Sequence, residues 1–582
     1  MPVTAAGEKK AKPNPLVRYI PILGWLPHYD ISWLKLDLIA SLTLWGLVVP
    51  EAMAYAGIAN LPPQAGLYTL LAALLIYAIF GSSRELLVGG TSATAALLAS
   101  SIIVPTLAGP SADPATYQAF ATAFVLVVGI VFLIAWIARL GFVTQFLSKP
   151  VMDGFIAGLA IFVAIGQLNK LFGVVKPEGN TFEKAIGILL SLPHANWVAF
   201  AIGAGALATL FLLPRLNKKI PAGLVVLFGT IIISTVLDLK ANFGVDVVGA
   251  LPQGLPVFSL PQVPVSALLY MILPAIGVVL VAYSEALGVA REFAEKHGYE
   301  VSADQELGAH AFVNLASSLF GGLIAAGSMS ASAVKEEAGA RTQVTNLACW
   351  VITILTVLFL TGLFTSLPEA VLAALIIHAL WHIIVARKLK QVRLVSQTEF
   401  LCGGIAFLGV LFFDVLIGMI LGLVFSLIIV IYRSSRPHLS ALGRVPGVPG
   451  AYTGLERHHE NLRVPGVLII RLDSPMYYAN ALTVRDTMKT MLEESEEPVR
   501  AVIFDATVQD DLDFTSAEVL AGVVKELKGK GIAVLVADLH APVREFGSKT
   551  GLIDLIGEKN IFPTLDLAVR SAETSAINGA KK

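Results

Sequence analysis

Residues 80–95 read FGSSRELLVGGTSATA and residues 320–333 read FGGLIAAGSMSASA. Each opens on Phe-Gly, reaches a further glycine and continues into a run of Ser, Thr and Ala; Phe80 and Phe320 lie 240 residues apart. Both stretches sit among apolar segments long enough to cross a bilayer. The pieces they introduce, 91–105 and 328–338, are too short and too rich in small polar residues to span ~30 Å of hydrocarbon alone.

The surrounding chain explains why two such pieces matter. Of 582 residues, 56% are hydrophobic and 14% charged, against roughly 25% charged in soluble domains, and the mean hydropathy is +0.76. This is the composition of an integral membrane protein. The opening MPVTAAGEKKAKPNPLVRY lacks a short apolar core followed by a small-residue cleavage site, so residues 1–36 read as a cytosolic segment. Cys349 and Cys402 fall in apolar spans and read as small apolar residues, not as a disulfide pair. A net charge of −1 gives no footing for a nucleic-acid partner.

Twelve spans are predicted, near 37–58, 62–80, 117–139, 150–172, 195–214, 219–238, 265–290, 304–322, 343–364, 367–385, 397–413 and 415–433. Counting 91–105 and 328–338 as half-helices gives fourteen crossings. Lysine and arginine placement tests the count. With the N-terminus inside, sixteen fall on the cytoplasmic side, including Lys218, Lys219, Lys335, Arg387, Lys388 and Lys390, and only Lys170, Lys176, Lys184 and Lys240 fall outside. Dropping either half-helix alone reverses every later loop and spoils that asymmetry. Seven crossings separate the two short segments, an odd number, so the repeat is inverted.

Short, glycine-interrupted segments at matching positions of two inverted halves point to a transporter site at the bilayer midplane. A half-helix that starts inside the protein has unpaired N–H groups and a positive dipole end, which attract an anion. Thr91, Ser92, Ser328, Ser330 and Ser332 are placed to cap those ends or to hydrogen-bond substrate oxygens. The competing reading is that runs of small residues are simply helix-packing faces.

After Arg436 the pattern changes. VPGVLIIRLD (464–473), RAVIFDAT (500–507) and GIAVLVADL (531–539) are buried-type strands separated by helical stretches such as SAEVLAGVVKELKGK (516–530), an α/β domain of roughly 120 residues. We expect residues 437–460 to form a linker and first strand, 461–573 the domain and 574–582 a disordered tail.

Over essentially its whole length the sequence resembles the SulP, or solute carrier family 26, anion transporters. The motifs are VVPEAMAYAGIANLPPQAGLYT (48–69), GSSRELLVGG (81–90), EALGVAREFAEKHGYEVSADQELGAHAFVNLASSLFGG (285–322) and AGARTQ (338–343), followed by a carboxy-terminal region that looks like a STAS domain. The resemblance implies a uracil-permease-type fold of seven plus seven inverted helices over residues 37–436. It also implies a division into core and gate subdomains, a homodimer, and transport of a small anion such as sulfate, bicarbonate or a dicarboxylate. By position it puts the substrate site on Glu51, Tyr55, Thr91, Ser92, Ala93, Ser330 and Ala331. Many family members have Gln where this chain has Glu51 and a basic Arg where it has Ala331. Loss of a fixed positive charge, with a carboxylate added, favours proton or sodium coupling over simple exchange.

Acidic residues at membrane depth are functional candidates. Glu51 follows Pro50 in the first span, and Glu285 lies on the eighth, where the resemblance suggests a cation-coupling residue. Glu306, His310 and Asn314 recur at i, i+4 and i+8 as one polar stripe, either a proton-handling element or polar residues satisfied by neighbouring helices. His378 and His382 have helix metal-pair spacing but no evident third ligand, so no metal is expected. No GxxxxGK[ST] motif and no nucleophile triad is found, so neither ATP-driven transport nor an enzyme is supported, and no cofactor is expected. In the STAS-like region Asp513 and Thr515 precede Glu518 as helix-capping material; Thr515 also occupies the place of the phosphorylatable residue of anti-sigma-antagonist STAS proteins.

The reading is a secondary-active small-anion transporter of the cell membrane with both termini cytoplasmic. It works by an elevator or rocking motion, and STAS serves assembly, regulation or a cytosolic partner. An uncoupled anion channel or exchanger, or a membrane-anchored STAS signalling protein with vestigial transport, are the alternatives.

Overall fold

The computed structural model describes residues 15–101, 113–146, 148–177, 179–216, 222–384, 393–413, 415–495 and 497–579. Lys218, Lys219, Arg387, Lys388 and Lys390 of the charge count, the end of the 91–105 segment, and residues 580–582 of the tail lie outside them, as does the His382 side chain. The chain forms two compact units, Met1–Ser426 and Leu427–Lys582.

In the first unit the helices are α1 (Leu34–Ile58), α2 (Pro63–Phe80), α3 (Ser92–Ser100), α4 (Pro114–Ile137), α5 (Lys149–Phe172), α6 (Trp197–Leu216), α7 (Ala222–Leu237), α8 (Val265–His297), α9 (Ala303–Leu319), α10 (Met329–Glu337), α11 (Val344–Leu355), α12 (Glu369–Ile384), α13 (Gln397–Phe412) and α14 (Val415–Ser435). Two short strands, β1 (Leu87–Gly90) and β2 (Ala325–Ser328), lead into α3 and α10. Among the described residues eight helices are long and apolar enough to cross a membrane.

The packing obeys the inverted repeat. If element n corresponds to element n+7, α4 against α9 is the counterpart of α11 against α2. Likewise α4 against α8 matches α11 against α1, and α5 against α13 matches α12 against α6; all six contacts are present. The division that the resemblance implies would put α1–α4 with α8–α11 in the core and α5–α7 with α12–α14 in the gate. Small residues permit close approach where apolar side chains gain nothing over lipid. A Cβ on Gly66 would lie 1.8 Å from Ala52 O, between α2 and α1, and one on Gly154 would lie 2.1 Å from Gly403 O, between α5 and α13.

Three elements differ from the sequence reading. Helix α8 runs 33 residues, about 50 Å, so its charged end REFAEKH continues past the hydrocarbon to a left-handed C-cap at Gly298, φ 68°. The span predicted at 343–364 is not one regular helix: α11 is followed by a wide π-turn, Thr356–Leu360, and a 3₁₀ stretch, Thr361–Ser366. Thr353 and Thr356 hydroxyls there bond back to Cys349 O and Ile352 O, a local competitor that bends helices. The loop after α5 contains a further helix, Thr181–Ser191, started by an Asn180–Glu183 capping box.

The second unit has a six-stranded sheet of β3 (Leu439–Arg444), β4 (Tyr452–Gly454), β5 (Val467–Leu472), β6 (Ala501–Asp505), β7 (Ala533–Ala537) and β8 (Ile561–Phe562), ordered β4-β3-β5-β6-β7-β8, with β5 to β8 parallel. Alternation along each strand fills two faces. Leu468, Ile470, Val502, Val534 and Val536 pack with α15 (Ala481–Glu493), α16 (Phe514–Gly529), α17 (Ala541–Lys549) and α18 (Leu552–Ile556). Ile469, Ile503 and Leu535 pack with α19 (Leu565–Gly579). The 437–460 stretch holds two strands, β3 and β4. Residues 574–579, expected to be disordered, are the continuation of α19, whose Ala568, Val569 and Ala572 are buried on the sheet.

His438, just before β3, faces Asp473 Oδ2 at 2.9 Å through Nδ1 and Glu456 Oε2 at 3.2 Å through Nε2. Only the imidazolium donates from both nitrogens. The bond to Asp473, then that to Glu456, raises the His438 pKa above its ordinary 6.5. A raised folded-state value stabilises below 6.5 and is lost as the pH climbs through it. We expect tryptic cleavage at Arg457 and Arg463, next to this contact, to quicken across that rise, and the pH dependence to disappear in His438→Gln.

Candidate functional site

The two half-helices meet on a ribbon. β1 and β2 pair antiparallel, Leu87 with Ser328, Val88 with Gly327, Gly89 with Ala326 and Gly90 with Ala325. Small residues are required here: a Cβ on Gly327 would lie 2.8 Å from Ala286 Cα of α8. Because each helix follows its strand, α3 and α10 begin beyond opposite ends of the ribbon, whose four paired residues span three steps or about 10 Å, and run away from each other.

Their caps are side chains. Thr91 Oγ1 accepts from Thr94 N at 3.2 Å and Thr94 Oγ1 accepts from Thr91 N at 3.0 Å, a reciprocal box. Ser328 Oγ accepts from Ala331 N at 3.3 Å and lies 3.2 Å from Ser330 Oγ. Each cap uses the third N–H of its helix. The N–H groups of Ser92 and Ala93 on α3, and of Met329 and Ser330 on α10, are left without a protein partner among the described residues.

Helix α1 packs on β1, α3 and α10, and α8 on β2 and α3. That brings Glu51 and Tyr55, both buried, to the ribbon, with the Tyr55 hydroxyl within electrostatic reach of the Glu51 and Glu285 carboxylates. Pro50 inside α1 removes the N–H that would bond Gly46 O and loosens the helix one residue before Glu51. The site is not sealed. Glu285, Ser92 and Ser330 are half-buried, Met329 is exposed, and a Cβ on the exposed Gly288, one turn below Glu285, would meet nothing within 4 Å. Ala93 and Ala331 are buried at the helix starts, and Ala331 adds no charge.

Other candidates lie elsewhere. Ser332 faces away from the site: its Oγ accepts from Leu87 N at 2.9 Å. The polar stripe is engaged largely with backbone and neighbouring helices, though His310 Nε2 is buried without a partner among the described residues. Glu306 accepts from Ser82 N at 2.8 Å, Ser82 Oγ at 2.7 Å and Tyr77 Oη at 2.9 Å, which fixes the α2–β1 turn. His310 Nδ1 donates to Glu306 O at 2.8 Å and its ring stacks on Phe132. Asn314 accepts from Ala325 N at 2.9 Å and donates to Ala325 O at 3.0 Å, bracing β2. Lys335, counted as a cytoplasmic loop residue, is buried at the end of α10. Its ammonium donates to Arg84 O at 2.9 Å and faces Glu85 and Asp37. Thr515 is exposed in the first turn of α16, whose N-cap Asp513 accepts from Ser516 N at 2.8 Å. Among the described residues no three His, Cys, Asp or Glu side chains converge on a metal position.

Sequence reasoning missed the residues that close the ribbon's flanks, Thr69, Ser317, Gln343 and Asn346. Leu323 N donates to Thr69 Oγ1 and Ser317 Oγ donates to Leu323 O, both at 2.6 Å. The signal available for Gln343 was its place at the end of AGARTQ.

Two inverted sets of seven elements, crossed at midplane by capped half-helices and followed by an α/β domain, define a multi-pass transporter architecture. The chain belongs to the Sulfate permease family, whose family model matches residues 34–406; the STAS domain model matches 460–568. "Probable sulfate transporter MT1781" of Mycobacterium tuberculosis is 33% identical over 555 residues, covering 94% of this chain and 98% of that protein. "Sulfate transporter 1.3" of Arabidopsis thaliana is 31% identical over 573 residues, covering 95% and 87%. The solved structure of the murine solute carrier 26 family member A9 anion transporter in the inward-facing state shares the fold, with TM-score 0.89, 24% identity and coverage of 98% and 96%. The transmembrane domain of the cyanobacterial bicarbonate transporter BicA superposes with TM-score 0.58 at 22% identity, covering 68% of this chain and 98% of that one.

The stripe yields a test. Glu306→Gln presents an amide NH₂ to donors that need an acceptor, which costs about 1–3 kcal/mol for the group left unpaired. We expect a lower melting temperature by fluorescence scanning, with half-saturation for substrate within about twofold of wild type.

Proposed function

We propose that this chain is a secondary carrier of a small oxyanion of the sulfate class, coupled to protons or sodium, with the anion held between the starts of α3 and α10. The supporting observation is the set of four unpartnered N–H groups, two from each half-helix, beside Glu51, Tyr55 and Glu285 and without a basic side chain at Ala331.

The electrostatics favour coupling. A helix end contributes about 0.3–1 kcal/mol, up to ~2 when partly buried, too little to offset full dehydration of a divalent anion. The anion therefore keeps part of its water. Two carboxylates beside it repel it until one is neutralised, so a proton or Na⁺ on Glu285 or Glu51 and the anion on the half-helices strengthen each other's binding reciprocally. On this reading the core moves against the gate as an elevator in a homodimer of the cell membrane, with both termini in the cytosol. STAS serves assembly or regulation, with Thr515 open to phosphorylation.

Purified protein in proteoliposomes tests the proposal. We expect labelled sulfate to accumulate under an imposed pH or sodium gradient and competing oxyanions to inhibit. We expect Glu285→Gln to abolish gradient-driven accumulation while counterflow persists. Uptake indifferent to both gradients would falsify coupling, and no flux of any oxyanion would remove the carrier reading.

A further inference from the structure

The lead-in to β1, residues 83–86, passes through the core in a non-helical, non-strand conformation, so its carbonyls have no backbone ladder. One side chain from the opposite repeat takes most of them. Gln343 Nε2 donates to Ser83 O at 2.8 Å, Arg84 O at 3.2 Å and Leu86 O at 2.9 Å, while Gln343 Oε1 accepts from Asn346 Nδ2 at 2.5 Å, which fixes the amide's orientation. Both residues are buried. The same AGARTQ segment grips the inner end of α1: Asp37 accepts from Arg341 N at 3.1 Å, Thr342 Oγ1 at 3.1 Å and, from the first turn of α11, Thr345 Oγ1 at 2.8 Å.

From Leu86 the chain runs extended through β1 to Thr91, the cap of α3, with the strand pinned along its length by its pairing with β2. An extended strand transmits a shift along its axis undiminished. β2 itself is braced by Asn314 of its own repeat, with Thr69 of the other repeat on Leu323 just before it, whereas β1 takes Ser332, and its lead-in Gln343, from the other repeat.

We infer that Gln343 is a positioning residue for the anion site, setting the height of β1 and therefore the aim of the Ser92 and Ala93 N–H groups. This rests on the half-helix reading above. Displacing β1 weakens anion binding without touching the ion-coupling carboxylates or the gate, so the effect falls on half-saturation and not on maximal rate.

The experiment compares Gln343→Met, Asn346→Ala and Met329→Pro, which removes an N–H at the first position of α10 where Pro is tolerated, with wild type in full-length protein in proteoliposomes, reading half-saturation and maximal rate for labelled sulfate, with melting temperature measured in parallel. Lys335 and Asn346 still hold Arg84 O and Leu86 O in Gln343→Met. We expect half-saturation to rise about tenfold with maximal rate within about twofold, and Asn346→Ala to shift it less in the same direction. Unchanged half-saturation in Gln343→Met overturns the inference; if that variant does not fold, unchanged half-saturation in Asn346→Ala does so. A rise for Met329→Pro with none for Gln343→Met overturns this inference alone. A rise for Gln343→Met with none for Met329→Pro, which lacks one of the four N–H groups, sinks the half-helix reading and the inference with it.

Discussion

A backbone group buried at membrane depth must find its partner inside the protein, and the four-residue ribbon of β1 and β2 is where that demand is hardest to meet. A two-stranded ribbon has two open flanks, and no third strand is available. Here the flanks are closed by side chains: Asn314 on Ala325, Thr69 and Ser317 on Leu323, Ser332 on Leu87, and Gln343 on the carbonyls before β1. The ribbon is short because each added residue would need another such donor or acceptor. Its brevity forces both helices to start inside the protein, and their unpaired first N–H groups follow from that.

The same accounting ties the two repeats together. Hydrogen bonds cross between them, as in Tyr77 to Glu306, Trp45 Nε1 to Thr356, Ser318 to Thr122 O, and the three donors that Arg341, Thr342 and Thr345 bring to Asp37. Each such bond lies in a water-poor interior, where breaking it leaves a group stranded. Elsewhere helices approach closely at small residues, as Gly154 does against Gly403, a contact that fixes no hydrogen-bond register.

Much of this was legible from the chain. Span number, the broken segments and their inversion follow from hydropathy, Lys/Arg placement and the spacing of Phe80 and Phe320, because each is a pattern over tens of residues. The ribbon was not visible: LVGG and AAGS are too short for a period of two to register, and nothing local says that they pair across some 240 residues. Lys335 deceived for a related reason. A lysine near a span end reads as a loop anchor, and only tertiary structure reveals the Arg84 carbonyl awaiting it. The stripe Glu306–His310–Asn314 has the spacing of a functional face, yet each member satisfies backbone from another segment or its own helix. Helical periodicity identifies a polar face without saying what the face meets.

The brace on β1 and the brace on β2 differ in origin, and the difference bears on motion. Asn314 and Ala325 belong to one repeat, so that half-helix is referenced to its own scaffold. Gln343 belongs to the second repeat and holds the first, so the start of α3 is referenced to α11 and, through Asp37, to α1. Tilting α3 alone would therefore break the Gln343 bonds to the carbonyls of Ser83, Arg84 and Leu86.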